Sequence, residues 1–285
     1  MSRARTWDFV RAKLLGLWAA LALLYLFLPI FVVVLFSFNE PKGRFNSTWQ
    51  GFTLDHWAHP FSVLGLGPAF RNSIEIAVIS TAIAVALGTF MALALVRYSF
   101  RGRKTTDLFV FLPLATPEVV LGAALLGLFL TMTVNTGFVT ILIAHVMFNV
   151  SYVVVTIKAR LEGMDTHIEE AAMDLGANEW TTFRKITLPL IAPGVGAAAL
   201  LAFALSIDDF VITNFNAGQT VTFPLFIYGA ARQGVPPEVN VLASAILVVA
   251  LAGMAVNLVV QRSLARRQGM PDVSVPVPVG SPAAG

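Results

Sequence analysis

Four carboxylates stand in stretches of this chain that are otherwise almost free of charge: Glu75, Glu118, Asp208 and Asp209. A carboxylate held away from water is costly, and ionisable groups in apolar surroundings mark sites of function. No Lys or Arg shares these stretches. The acids would therefore set up a negative field that draws cations. Two of them have a second reading. Glu75 would also complement the N-terminal dipole of its own helix, and Asp208 would also pair with an arginine of another subunit.

A second group of acids lies in a polar loop: Glu162, Asp165, Glu169, Glu170, Asp174 and Glu179. Asp165 or Thr166 can cap a helix there, with Glu169 completing a capping box. Ile168, Ala171, Ala172 and Leu175 then share one apolar stripe. Gly176 suits a left-handed C-terminal cap. Asn178 can cap a second short helix, which Pro189 is expected to end. The pair would lie along the membrane surface. A helix with an apolar stripe and an acidic edge fits a groove on another protein better than it fits anionic lipid, for which surface helices are rich in Lys and Arg.

Other chemistry is missing. No phosphate-binding G-x-x-x-x-G-K-[ST] and no H-E-x-x-H occurs, and no serine has a nucleophile-elbow context. The chain has no cysteine, hence no disulfide and no thiolate metal site. His56 and His59 are three apart with no third ligand, which reads as a surface or headgroup location. His145 falls inside an apolar run and reads as a polar contact between helices.

The elements that must position these groups are membrane spans. Of 285 residues, 57% are hydrophobic and only 12% charged, against about 25% charged in soluble domains. Runs of about 20 apolar residues predict spans near 14–36, 72–96, 107–132, from the turn at Asn135–Gly137 to 157, 190–214 and 239–260. The first run is longer than a signal-peptide core and is read as a retained helix. Glu118 would lie near the midplane of the third span, and Asp208 and Asp209 near the outer end of the fifth. With the N-terminus inside, only Lys42, Arg44, Arg71 and Arg232 of the 19 Lys and Arg fall outside. Both termini are then cytoplasmic. The expected organisation is a cytoplasmic N-terminus (1–13), a six-helix membrane domain (14–264) containing the loop 158–189, and a disordered Pro-rich tail (265–285). There is no internal repeat and no soluble domain.

Glu170-Ala171-Ala172, Gly176, Ile186 and Leu188-Pro189 resemble the EAA motif of ABC importer permeases at every position. Further segments resemble the second permease subunit of spermidine/putrescine importers. They are Ser206-Ile207-Asp208-Asp209-Phe210, Phe223-Pro224-Leu225-Phe226, Gly234-Val235-Pro236-Pro237-Glu238-Val239-Asn240, Trp49-Gln50-Gly51-Phe52-Thr53 with Trp57, and Tyr98-Ser99-Phe100-Arg101-Gly102.

The resemblance implies an all-α integral membrane fold of the type I ABC importer permease architecture, with a cytoplasmic coupling helix between helices four and five. Glu169, Glu170, Ala171, Ala172, Asp174 and Gly176 would dock on the ATPase. Trp57, Glu118, Ser206, Asp208 and Asp209 would line the substrate path, where carboxylates and ring faces suit ammonium groups. The chain itself would hold no cofactor and would not be an enzyme, since ATP and Mg belong to the ATPase. The implied partners are a second, different permease, an ATPase dimer, an extracytoplasmic substrate-binding protein and the bilayer of the bacterial inner membrane, with no nucleic acid. Another organic cation, or an anion such as thiosulfate, is the alternative cargo. The alternative class is an ion-driven secondary transporter, which would show inverted repeats and broken helices.

Overall fold

Lipid leaves backbone N–H and C=O groups no partner but one another, so apolar runs must become helices to cross it. The computed structural model describes residues 2–43 and 45–267, and is helical throughout apart from its connections. The chain divides into two units, 1–62 with 235–285, and 63–234.

The first unit contains α1 (Ser2–Phe36), the short α2 (Asp55–Ala58) and α12 (Pro237–Arg267). The loop after α1 is organised by Asn39. Its amide donates to Asn46 Oδ1 and to the carbonyl of Thr48, and its Oδ1 accepts from the N–H of Gln50. Glu238, in the first turn of α12, lies 3.2 Å from His56 and accepts a hydrogen bond from Ser62. His56 is thus a packed partner of Glu238 rather than a headgroup contact. α12 runs to Arg267, into the stretch expected to be tail, because after Gly253 no Pro or Gly occurs before Gly269. Residues 268–285 lie outside the described residues.

The second unit contains α3 (Leu66–Arg97), α4 (Arg103–Ala115), α5 (Glu118–Thr131), α6 (Phe138–Glu162), α7 (His167–Asp174), α8 (Glu179–Thr182), α9 (Leu188–Ile207), α10 (Val211–Asn216) and α11 (Phe223–Ala231). α3, α6 and α9 enclose a core of Ala84, Ala92, Leu95, Val153, Val154, Ile157, Ile191, Ala198 and Ala202. Small residues let these helices approach closely, as is usual in membranes. Gly88 of α3 is the tightest point, where a Cβ would stand 2.5 Å from a methyl of Val153.

Among the described residues five helices are long and apolar enough to cross a bilayer, and α4 and α5, bent by 110° at Thr116–Pro117, make a sixth when the pair is counted as one span. The single straight span expected over 107–132 is therefore broken. Thr116 takes an extended conformation (φ −88°, ψ 131°) before Pro117, because the proline ring disfavours a helical residue ahead of it and supplies no N–H. Glu118 becomes the first residue of a new helix instead of a mid-helix residue.

Three further expectations change. The fifth span ends at Ile207, not Asn214, because the chain restarts as α10. Pro189 does not end the second loop helix. The chain stays helical through a π turn (Phe183–Thr187), where the N–H of Leu188 bonds to the carbonyl of Phe183, and Pro189 falls in the first turn of α9. Glu75 does not sit at a helix start, since α3 begins at Leu66. It pairs with Arg71 one turn away at 2.6 Å.

Candidate functional site

The polar loop folds as two short helices around a glycine bend. Asp165 Oδ1 accepts the N–H of His167 and starts α7. The capping box expected from Glu169 does not form, because its carboxylate is engaged elsewhere. At the other end the N–H of Gly176 bonds to the carbonyl of Met173, and that of Ala177 to the carbonyl of Ala172. This paired closure needs a left-handed residue, and Gly176 has φ +93°. Asn178 Oδ1 then accepts the N–H of Thr181 and opens α8.

The expected docking residues divide by direction. Glu170, Ala171, Asp174 and Gly176 are exposed and Ala172 is half-buried. Around them stand apolar side chains with little cover: Ile168 is 47% exposed, Met173 43% and Leu175 89%. Glu169 turns inward. Its Oε2 lies 3.0 Å from Nε of Arg97, an ion pair by distance without hydrogen-bond alignment, and its Oε1 accepts from Thr187 at 2.7 Å. Arg97, Glu169, Phe90, Phe183 and Trp180 line a cleft of about 650 Å³ beneath the loop.

A second polar group is buried among the spans. His145 of α6 meets Ser206 of α9 through Nδ1 at 2.6 Å, and Thr213 of α10 through Nε2 at 2.9 Å. Ser80 of α3 reaches Ser206 at 3.1 Å. Asp209 accepts the N–H groups of Ile212 and Thr213 and the hydroxyl of Thr213, and its Oδ2 lies 3.3 Å from His145 Nε2. The Thr213 hydroxyl donates to Asp209, and His145 bridges Ser206 and Thr213 through its two ring nitrogens. Asp209 thus caps α10 and closes a network joining four helices. It is not the unpaired carboxylate expected of it, and its side chain is only 7% exposed.

Asp208 and Glu118 differ from Asp209. Asp208 ends α9, Glu118 starts α5, and both are exposed. Neither has an ion-pair partner among the described residues. Leu121, Leu125 and Phe129 of α5 pack with Ala144, Phe148 and Tyr152 of α6, Leu205 of α9 and Ile212 of α10. This cluster gathers the helices that carry both acids, and Tyr152 lies within electrostatic reach of Glu118. Ser206 is buried in the histidine network. Trp57 lies in the first unit, stacked on Phe38 with its indole N–H on Ser37. Sequence reasoning missed Ser80 and Thr213, which carry no local signal. It found His145 but not its carboxylate. No cluster of His, Cys, Asp and Glu among the described residues could hold a metal ion.

A family model described as "Binding-protein-dependent transport system inner membrane component" matches residues 84–269. The spermidine/putrescine transport system permease protein PotC of Escherichia coli (strain K12) is 39% identical over 239 residues, covering 84% of this chain and 90% of that protein. The putrescine transport system permease protein PotI of the same strain is 38% identical over 231 residues, covering 78% and 82%. Among solved structures, a bacterial ABC transporter involved in the import of the acidic polysaccharide alginate aligns with TM-score 0.64 at 18% identity, over 92% of this chain and 99% of that chain. At that identity the likeness concerns the fold alone.

Proposed function

The chain belongs to the binding-protein-dependent transport system inner membrane components, the permease subunits of ABC importers, and from that membership we propose that it forms half of a translocation path for polyamines. It is a multi-pass inner-membrane protein and a non-catalytic transport subunit. ATP is bound by a separate ATPase, and a binding protein is its other partner. In the proposed assembly it pairs with a second, different permease over an ATPase dimer. α7 is its docking helix, through Glu170, Ala171, Ala172 and Asp174 with the apolar side chains around them, and Gly176 sets the bend.

The observation that carries the substrate reading is the pair of exposed carboxylates Asp208 and Glu118, on helices gathered by one apolar cluster and without basic partners among the described residues. Ammonium groups leaving water would find compensation there. Ser206 and Asp209 support that segment from behind, and Trp57 contributes an aromatic face in the outer loop. In the mechanism, the loaded binding protein docks outside, ATP closes the ATPase dimer, and α7 passes the movement to the spans. The names of the PotC and PotI relatives support the same cargo.

The test is uptake by the complete complex in liposomes. Labelled spermidine should enter only with ATP and the loaded binding protein, and excess putrescine should compete while thiosulfate should not. Uptake without ATP, or of thiosulfate in place of polyamine, would overturn the reading.

Orientation has its own test. The chain has no native cysteine, so Arg103→Cys and Gln233→Cys each introduce one reporter. With both termini and the loops 97–107 and 158–189 cytoplasmic, an impermeant thiol reagent added outside should label position 233 and spare 103. The reverse pattern would invert the proposed topology.

A further inference from the structure

Glu169 and Glu170 are neighbours on α7, yet they meet different partners. Glu170 is exposed and contacts His167 of its own helix at 3.3 Å. Glu169 lies under the helix, between Arg97, the last residue of α3, and Thr187 in the π turn that leads into α9. Arg97 and Glu169 are 16% and 13% exposed. Resting on the reading of α7 as the ATPase-docking helix, we propose that Arg97, Glu169 and Thr187 form a strut carrying the movement of α7 into two spans, α3 and α9. Glu169 is on this account a positioning residue and not part of the docking surface.

The physical case begins with α7 itself. An eight-residue helix has little stability of its own, and a glycine bend follows it. A push on such a helix would deform its connections unless something stiffer ties it to the membrane domain. A largely buried ion pair is screened far less than a surface one, and removing one member leaves the other charged and uncompensated. The anchor points also matter. Thr187 lies in a π turn, a feature that occurs mostly at functional sites and locally changes a helix's winding. The ring of Phe183, from the same turn, packs on Phe90 of α3 and on Trp180 of α8, with centroids 6.2 and 5.6 Å apart. The end of α3, the π turn and α8 are thus joined by contact as well as by charge.

The two spans held by the strut meet again deeper in the protein, where Ser80 of α3 and Ser206 of α9 are hydrogen-bonded next to His145. A shift of α7 therefore has a contiguous route to the segment that carries Asp208. Contiguity is not coupling, so the test must measure coupling.

The variants are Glu169→Gln, Arg97→Gln and the exchange Arg97→Glu with Glu169→Arg, each in the complete complex. Two quantities are read: co-purification with the ATPase subunit, and polyamine molecules imported per ATP hydrolysed in liposomes. Each single variant should co-purify normally and still hydrolyse ATP in response to the loaded binding protein, while import per ATP falls roughly tenfold, the scale of a typical coupling energy. The exchange should recover most of that loss. Poor co-purification of Glu169→Gln beside normal Arg97→Gln would place Glu169 on the docking surface and overturn the strut. Unchanged import per ATP in both single variants, or no recovery in the exchange, would overturn it as well. The docking reading fails separately, if Leu175→Glu on the exposed face leaves co-purification intact.

Discussion

Asp209→Asn should destabilise the permease, whereas Asp208→Asn should leave its stability unchanged and slow its cargo. The two acids are adjacent in sequence and differ in surroundings. Asp209 takes three hydrogen bonds at the start of α10 and lies 3.3 Å from His145. An asparagine there keeps one acceptor, but its N–H₂ group must face either the Ile212 N–H or the Thr213 N–H, donor against donor, and the negative charge beside His145 is lost. Leaving a buried donor without its acceptor costs about 1–3 kcal/mol, a sizeable share of the ~5–15 kcal/mol that holds a typical protein folded. Thermal unfolding in detergent should show a lower midpoint. Asp208 has no such partners, so its replacement should leave the midpoint unchanged. Its effect belongs to transport. At 4 Å and an effective dielectric near 20, a carboxylate attracts an ammonium group by ~4 kcal/mol before screening. Spermidine, with more ammonium groups, should lose more uptake than putrescine. A stable, assembled Asp209→Asn that loses only spermidine uptake would move Asp209 into the path and refute the division drawn between the two acids.

What could be read from the chain was what local spacing determines. The bend at Gly176 and the Asn178 cap follow from residue types within a few positions of one another, and both are present. The apolar runs located the candidate spans for a similar reason, since hydropathy integrates over a window. It does not register direction, and for that reason the break at Thr116–Pro117 was passed over although Pro117 itself was a signal. Asp209 shows the other limit. An acid placed before Ile212 and Thr213 is a helix-start signature, but it stood inside an apolar run that read as one continuous helix. Its partner His145 lies on another span, and nothing in the spacing of either residue joins them. Glu169 was misread similarly. Its place in a capping-box pattern was real, but Arg97, at the far end of α3, and Thr187 occupy the same carboxylate.

The outward face of α7 carries the second large effect. Leu175 is 89% exposed and Ile168 47% exposed, on a polar loop with no lipid-facing requirement of its own. Each apolar side chain left in water forgoes about 1.5–3 kcal/mol that burial would give, and Ile168 and Leu175, which share one face, mark a surface that is covered in an assembly. Leu175→Glu should therefore leave the isolated permease as stable as before, since the side chain touches little. It should remove an anchor from the ATPase contact and bury a charge there in its place. Loss of a central anchor costs about 2–4 kcal/mol, or roughly 30- to 1,000-fold in affinity at 1.4 kcal/mol per decade, so co-purification with the ATPase should fail. Gly176→Val reaches the same end by another route. A β-branched residue at φ +93° is strained by at least ~1–2 kcal/mol, and relief of that strain undoes the bonds from Gly176 and Ala177 that close α7. That variant should lose the ATPase contact and also expose the loop to protease in the isolated permease, which Leu175→Glu should not. Normal co-purification of Leu175→Glu would mean that the exposed face of α7 is not where the ATPase binds, and the role of this loop would then have to rest on Glu169 and the spans it touches.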